Sequence, residues 1–151
     1  MKTLTRLTTL TLLVLVPLMS CDGLFEARDR SYTDEPKLAF APSGEIVNEG
    51  AGEVTFEIQL IGPQRDSNLP VNFSVADSST AQASVHYSLG STSSTIPANS
   101  SSTEFTVEAL DNSTDDGGTN YELFLNLDDS EDVEAATNLK TFTLTVRGQD
   151  E

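Results

Sequence analysis

The feature that most constrains the fold is the alternation of apolar and polar residues at every second position. The clearest segment is 53–60, where the apolar residues are Val54, Phe56, Ile58 and Leu60 and the residues between them are polar. This period places all apolar side chains on one face of a β-strand. A strand with one packed face and one solvated face is typical of an antiparallel sheet in a sandwich.

The same alternation recurs along the rest of the chain. Strands are predicted at 69–75, 105–109, 121–127 and 142–146, with shorter ones at 38–40, 46–47, 85–88 and 94–96. Segments rich in Gly, Pro, Asn, Asp and Ser separate them, as turns require. In the connection 128–138, residues 133–136 could form one helical turn. The pattern predicts an all-β protein, an immunoglobulin-like antiparallel β-sandwich of seven to eight strands.

The N-terminus has the organisation of an export signal. Lys2 and Arg6 precede an apolar stretch, 10–19, that is shorter than the roughly 20 residues a membrane-spanning helix needs. Leu18, Met19, Ser20 and Cys21 then resemble the bacterial lipobox. This resemblance implies that a signal peptidase recognises Leu18 and Ser20, and that Cys21 becomes the lipidated first residue of the mature chain, carrying acyl chains such as palmitate.

These features divide the chain into three parts. Residues 1–20 are predicted to be a lipoprotein signal peptide, 21–36 the lipidated cysteine and a flexible tether, and 37–148 the sandwich domain. A tether of about 15 residues spans roughly 20 Å. We therefore expect a protein anchored in the bacterial cell envelope, at the outer membrane or cell surface rather than the inner membrane.

The charge distribution is strongly acidic and limits the partners. The chain holds 24 acidic and 8 basic residues, a formal net charge of −16, and all the acids follow Cys21. Such a field repels nucleic acid, attracts cations and basic partners, and favours solubility. The expected partners are the membrane, through the lipid on Cys21, and an envelope protein or glycan of unknown identity.

Several short segments between residues 38 and 147 resemble a Calx-beta domain, a calcium-associated sandwich found in exchangers and adhesins. They are 46–50, 81–87, 96–99 with 104–107, and 110–111 with 121–127. The resemblance implies calcium ligands at Glu49, Asp111, Asp115 and Asp116. The chain departs from the family pattern at three positions, where Ser84, His86 and Tyr121 replace a glycine, an aspartate and a glutamate. Because calcium takes 6–8 oxygen ligands, this set is partial, and calcium is a possible rather than a required cofactor.

No constellation in the sequence indicates catalysis. His86 is the sole histidine and Cys21 the sole cysteine, so the sequence lacks the second His and the further Cys that zinc usually takes, and it contains no Gly-x-Ser-x-Gly motif that would supply a nucleophile for a triad with His86. Asp128 and Asp129 resemble a glycosidase pair only in composition, since they lie in a turn-like acidic run. We therefore predict that the protein is not an enzyme.

Three functional hypotheses follow. The first is a lipid-anchored, non-enzymatic binding or structural module that uses loops or an exposed sheet edge. The second is a calcium-dependent adhesion module, and the third is an accessory glycan-binding lipoprotein. Phe124, which falls on the polar face of its strand, is an edge contact, part of a ligand platform or an ordinary exposed aromatic residue.

Overall fold

The fold is taken from a computed structural model, which describes residues 32–112, 118–130 and 132–149. The chain divides into two compact units, Met1–Ser31 and Tyr32–Glu151, and all described residues belong to the second. Leu18, Ser20 and Cys21 of the lipobox lie outside the described residues, as do Asp115 and Asp116.

The described residues form ten β-strands. They are β1 (Lys37–Ala41), β2 (Gly44–Asn48), β3 (Gly52–Ile61), β4 (Leu69–Val75), β5 (Tyr87–Leu89), β6 (Ser93–Ile96), β7 (Ser102–Ala109), β8 (Asn120–Leu127), β9 (Glu134–Ala135) and β10 (Thr141–Arg147). No helix in the described parts of the chain is long and apolar enough to cross a membrane.

The strands make two five-stranded sheets that pack into a sandwich. The order in the first sheet is β5-β7-β3-β1-β9, and in the second β2-β10-β8-β4-β6. Most pairs are antiparallel, but β9 runs parallel to β1 and β2 runs parallel to β10. The chain changes sheets between β1 and β2, at the cis peptide bond between Ala41 and Pro42. The predicted immunoglobulin-like β-sandwich is therefore confirmed.

The core consists of the alternate residues that the sequence pattern marks as apolar. Five phenylalanines form its centre, and the rings of Phe56 and Phe142, from different sheets, have centroids 4.0 Å apart. The other three rings are those of Phe40, Phe73 and Phe105. Offset and tilted contacts of this kind add to the stabilisation that apolar burial provides.

Two local predictions are wrong. The helical turn at 133–136 is absent, because Glu134 and Ala135 pair with β1 while Val133 is buried beneath them. The strand expected from Val85 starts only at Tyr87, because the chain first makes a tight turn. In that turn the carbonyl of Gln82 accepts hydrogen bonds from the N–H groups of Val85 and His86, and Ser84 has a φ of 63°.

Candidate functional site

One end of the sandwich brings together two of the predicted calcium ligands. Glu49 lies in the β2–β3 loop and Asp111 in the β7–β8 loop, and the Gly50 N–H donates a 3.1 Å hydrogen bond to the Leu110 carbonyl between them. Gly50 has a φ of +70°, and a Cβ placed there would lie 3.3 Å from the Cβ of Asp111. A glycine is therefore needed for both the backbone conformation and the close approach of these loops.

The carboxylate of Glu49 is only half satisfied. Its Oε1 accepts a hydrogen bond from the backbone N–H of Gln149, near the end of the chain. Its Oε2 is buried and has no hydrogen-bond partner. Because a buried carboxylate oxygen normally finds a donor or a cation, this oxygen is the feature of the described residues that points most directly to a cation.

His86 stands where the family pattern has an aspartate, and it is part of the fold rather than a free ligand. The residue is 4% exposed, and its Nδ1 accepts a 2.8 Å hydrogen bond from the Gln82 N–H. Its ring stacks on Tyr121, with centroids 3.8 Å apart and planes inclined by 26°. The Leu110 N–H donates to the His86 carbonyl at 3.0 Å, which ties this turn to the loop that carries Asp111.

The described residues do not complete a calcium site. In residues 32–112, 118–130 and 132–149, no group of three or more His, Cys, Asp and Glu side chains could hold a metal ion. Glu49 and Asp111 are two carboxylates against the 6–8 oxygens that calcium takes. Since Asp115 and Asp116 lie outside the described residues, the four-carboxylate set stays a prediction.

Four acidic residues between positions 128 and 134 form hydrogen bonds and ion pairs that connect parts of the fold. Asp129 accepts a 2.9 Å hydrogen bond from the Ala135 N–H, and Asp128 accepts one of 3.3 Å from the Ser74 hydroxyl. Ion pairs of 2.8 Å and 2.7 Å join Asp132 to Arg65 and Glu134 to Lys37. The hydrogen bond from Lys37 to Glu134 raises the pKa of the lysine. Asp129, Asp132 and Glu134 therefore hold β9 and its loop in place, and Asp128 and Asp129 each accept a hydrogen bond within the fold.

The outer face of the first sheet carries opposed carboxylates. The register of β3 and β7 places Glu53 directly opposite Glu108, and Glu57 directly opposite Glu104. Like charges in this relation destabilise a sheet. Hydrogen bonds from Ser102 and Gln59 lower the pKa of Glu57, so this carboxylate stays ionised on the crowded face.

The outer face of the second sheet has a different chemistry. Its centre is a row in which Thr143 lies between Phe124 on β8 and Gly44 on β2. Phe124 is half-buried there. Neighbouring positions on this face hold hydroxyl and amide groups, at Asn72, Ser74, Asn126, Thr141 and Thr145. Polar uncharged groups around one aromatic ring therefore form what we call the neutral face, defined by Phe124, Asn126, Thr141, Thr143 and Thr145, and the charged residues Glu122 and Arg147 lie at one end of it.

The contrast between the two faces cannot be predicted from the alternation alone. The alternation predicts which residues of a strand point outward, but the pairing of strands decides which outward residues become neighbours. The alternation does place Phe124 on the polar face of its strand. The signal that would have extended this observation is the run of threonines at 141, 143 and 145 in β10.

Comparison with known proteins shows what this sandwich is related to. The family model of the Calx-beta domain matches residues 31–148. This chain belongs to the Calx-beta family. A search of curated protein sequences finds no significant match.

Solved structures with the same fold include Calx CBD domains. The apo-form Calx CBD1 domain superposes with a TM-score of 0.66 at 19% identity, covering 78% of this chain and 100% of that one. The calcium binding domain CBD12 of CALX1.1 gives 0.64 at 18% identity, covering 74% of this Calx-beta chain and 44% of that one. A "putative carbohydrate binding protein" from Bacteroides ovatus ATCC 8483 gives 0.58 at 17% identity, covering 76% and 38%. At these identities the likeness shows the fold alone. Family membership is consistent with a non-enzymatic β-sandwich binding module.

Proposed function

We propose that this protein is a lipid-anchored, non-enzymatic binding module of the bacterial cell envelope, and that it engages another envelope component through the neutral face. The observation that carries the proposal is the contrast between the two outer faces. The first sheet presents opposed glutamates, whereas the centre of the second presents Phe124 among hydroxyl and amide groups, with the charged Glu122 and Arg147 at one end. A protein surface that docks a partner is depleted in charge at its centre and contains aromatic residues.

The anchor gives this binding face its context. The lipobox residues Leu18, Ser20 and Cys21 support lipidation at Cys21, and the polar segment 21–36 supports a flexible connection to the domain. Two or three acyl chains hold a protein at a membrane almost permanently, because each buried methylene contributes about 0.8 kcal/mol. We place the protein at the outer membrane or cell surface, where such a tether keeps the neutral face within reach of envelope proteins and glycans.

Site-specific photocrosslinking in cells tests the choice of face. A photoreactive amino acid replaces Thr143, at the centre of the neutral face, or Thr106, at a matched outward position on β7 of the first sheet. The proposal predicts discrete higher-mass adducts from position 143 and none from position 106. Equal adduct patterns from the two positions, or none from position 143, would contradict it. Digestion of the adducts by protease or by glycan-degrading enzymes distinguishes a protein partner from a glycan.

A calcium-dependent adhesion module is a second candidate, favoured by the unpaired Oε2 of Glu49 in the loop beside Asp111. Its test is a thermal melt of the Cys21→Ser protein in millimolar calcium and in chelator. Binding at 100 times the dissociation constant stabilises the native state by about 2.7 kcal/mol. A calcium-specific rise in the melting temperature that Asp111→Asn abolishes would support this candidate. Identical melting curves would leave the neutral face as the functional surface.

The accessory glycan-binding role has support from one residue. An aromatic platform for a sugar would rest on Phe124, because Tyr121 packs against the core and stacks on His86. A shift in the fluorescence or melting temperature of the Cys21→Ser protein with a polysaccharide, lost in Phe124→Ala, would favour this role over protein binding.

A further inference from the structure

The second sheet ends in an open edge strand. β2 pairs only with β10, and it is five residues long. Other edges of the described sheets are shorter or covered. β5 has three residues, β9 has two, and β6 is close to β7, where the Ser94 hydroxyl lies 2.7 Å from that of Thr103. Among the described strands, β2 is therefore the longest edge without a covering element.

The hydrogen bonds of β2 define what its open side offers. The Ser43 carbonyl accepts from the Thr143 N–H, and the Glu49 N–H donates to the Arg147 carbonyl. In a parallel pair, alternate residues of a strand bond the same neighbour, so the odd-numbered residues face β10. Gly44, Ile46 and Asn48 therefore point their backbone groups away from the sheet. Within the described residues, only the Asn48 carbonyl of these groups has a backbone partner outside the ladder, the Ala51 N–H at 3.2 Å.

The side chains beside this edge add a preference. Ile46 is 56% exposed, the highest value among the large exposed hydrophobic residues of the described chain. Ile46 lies on the outer face next to Thr145. Because Gly44 has no side chain, a shallow groove runs beside Ile46, and it is lined by Gly44, Glu45, Ile46, Thr143 and Thr145. Gly44 is fixed by packing, because a Cβ there would lie 3.0 Å from the Thr143 carbonyl oxygen. Glu45 carries a negative charge on the opposite side of the strand.

From these contacts we infer that β2 binds an extended segment of another protein, which adds to the second sheet as a sixth strand. The N–H and C=O groups of Gly44 and Ile46, which have no partner among the described residues, select a β-strand backbone as the ligand. The occupant has an apolar β-branched residue beside Ile46, a bulky residue over Gly44, and a basic residue opposite Glu45. A second copy of this chain fits poorly, because its own net charge of −16 opposes association. The inference rests on the proposed function, since it names the partner class and the edge of the same sheet.

The probe is a fluorescent, N-acetylated and C-amidated peptide, Lys-Thr-Val-Val-Lys-Val-Lys, designed to lie antiparallel to β2 with its fourth residue opposite Ile46. The peptide is titrated into the Cys21→Ser protein, and binding is followed by fluorescence anisotropy. In one control peptide the fourth and sixth residues, whose N–H groups face β2, are N-methylated. In a matched control the third and fifth residues, whose N–H groups face solvent, are N-methylated instead.

The inference predicts that N-methylation on the β2-facing side weakens binding about tenfold or more, because two hydrogen bonds are lost, while N-methylation on the other side changes it little. In the protein, Ile46→Pro removes an N–H that β10 does not use and should abolish binding. Ile46→Thr keeps that N–H and should weaken binding less. On peptide addition, amide hydrogen exchange should slow at Gly44, Ile46 and Asn48.

Several results would overturn the inference. Equal effects of the two N-methylated peptides would show that the peptide does not pair with β2. Failure of the unmodified peptide to bind would show that the β2 edge does not accept an added strand. The proposed function would still stand if the photoreactive residue at position 143 gave adducts in cells. A dimer in sedimentation that Ile46→Pro dissociates would assign the edge to a second copy and reject the basic partner segment. If circular dichroism shows that Ile46→Pro does not fold, the comparison of the two N-methylated peptides on the Cys21→Ser protein tests the inference instead.

Discussion

The ring of His86 lies flat against that of Tyr121, with centroids 3.8 Å apart, at the end of the sandwich where Glu49 and Asp111 meet in neighbouring loops. Each of the two rings occupies a position where the Calx-beta pattern has a carboxylate. The stack therefore replaces two potential calcium ligands with an aromatic contact that is held in place by the Gln82 N–H. This exchange keeps the fold of the family but leaves fewer carboxylates at this end than the family pattern provides.

The acceptor role of His86 predicts a loss of stability in His86→Phe. The phenyl ring can keep the stack on Tyr121, but it leaves the Gln82 N–H without its acceptor. Because this hydrogen bond is only partly buried, its loss should cost about 0.5–1.5 kcal/mol, the usual net contribution of one hydrogen bond. Urea denaturation of His86→Phe in the Cys21→Ser background should show this loss in the free energy of unfolding. His86→Asn should keep more of the contribution of this hydrogen bond, because its amide oxygen can accept from the Gln82 N–H. Equal stabilities of His86→Phe and the parent would show that the hydrogen bond contributes nothing.

A carboxylate at position 86 should restore a calcium response. His86→Asp adds a negative group to the turn that the Leu110 N–H ties to the loop of Asp111. We expect the variant to melt at a lower temperature than His86→Asn in chelator, because it buries a negative charge that no cation balances. Millimolar calcium should then raise its melting temperature by several degrees. If calcium changes the melting temperature of neither variant, the loops at this end do not bind calcium even with a third carboxylate.

The opposed glutamates of the first sheet predict a stabilising substitution. Glu104→Lys converts a like-charge pair with Glu57 into an attractive one, so the free energy of unfolding should rise by about 0.5–1 kcal/mol at low salt. The gain should shrink in high salt, because ions screen exposed charges. Glu122→Lys is the matched control, since Glu122 on β8 faces Thr145 rather than a carboxylate. Equal gains in the two variants would indicate a net-charge effect instead of a pairwise one.

Burial of Tyr87 predicts a loss of stability at alkaline pH. Burial raises the pKa of its phenol group, so the folded protein keeps this proton at a pH where the unfolded chain has released it. The stabilisation is complete below the unfolded pKa of about 10 and is lost as the pH rises through the folded pKa. Denaturation at pH 8 and pH 10.5 should show a smaller decline for Tyr87→Phe than for the parent. An identical decline would assign it to other groups.

The sequence could predict most of the fold because two-residue periodicity is a local property. It located the long strands within a few residues, and the buried residues of β3, β8 and β10 are the ones that alternate. It could not predict β9, whose two residues are a strand only because they pair with Lys37 and Leu38. The same limit explains the site. The stack of His86 on Tyr121 and the opposition of Glu57 to Glu104 depend on register between distant segments.

The tether is the premise on which the proposed role depends, and lipid labelling tests it most directly. Cells that express the natural protein or Cys21→Ser are grown with an alkyne analogue of palmitate and then fractionated. We predict that the natural protein is labelled and stays with the membranes, while Cys21→Ser is unlabelled and is released in soluble form. Unchanged labelling, electrophoretic mobility and membrane association in Cys21→Ser would contradict anchoring through this cysteine and remove the basis for an envelope-tethered module.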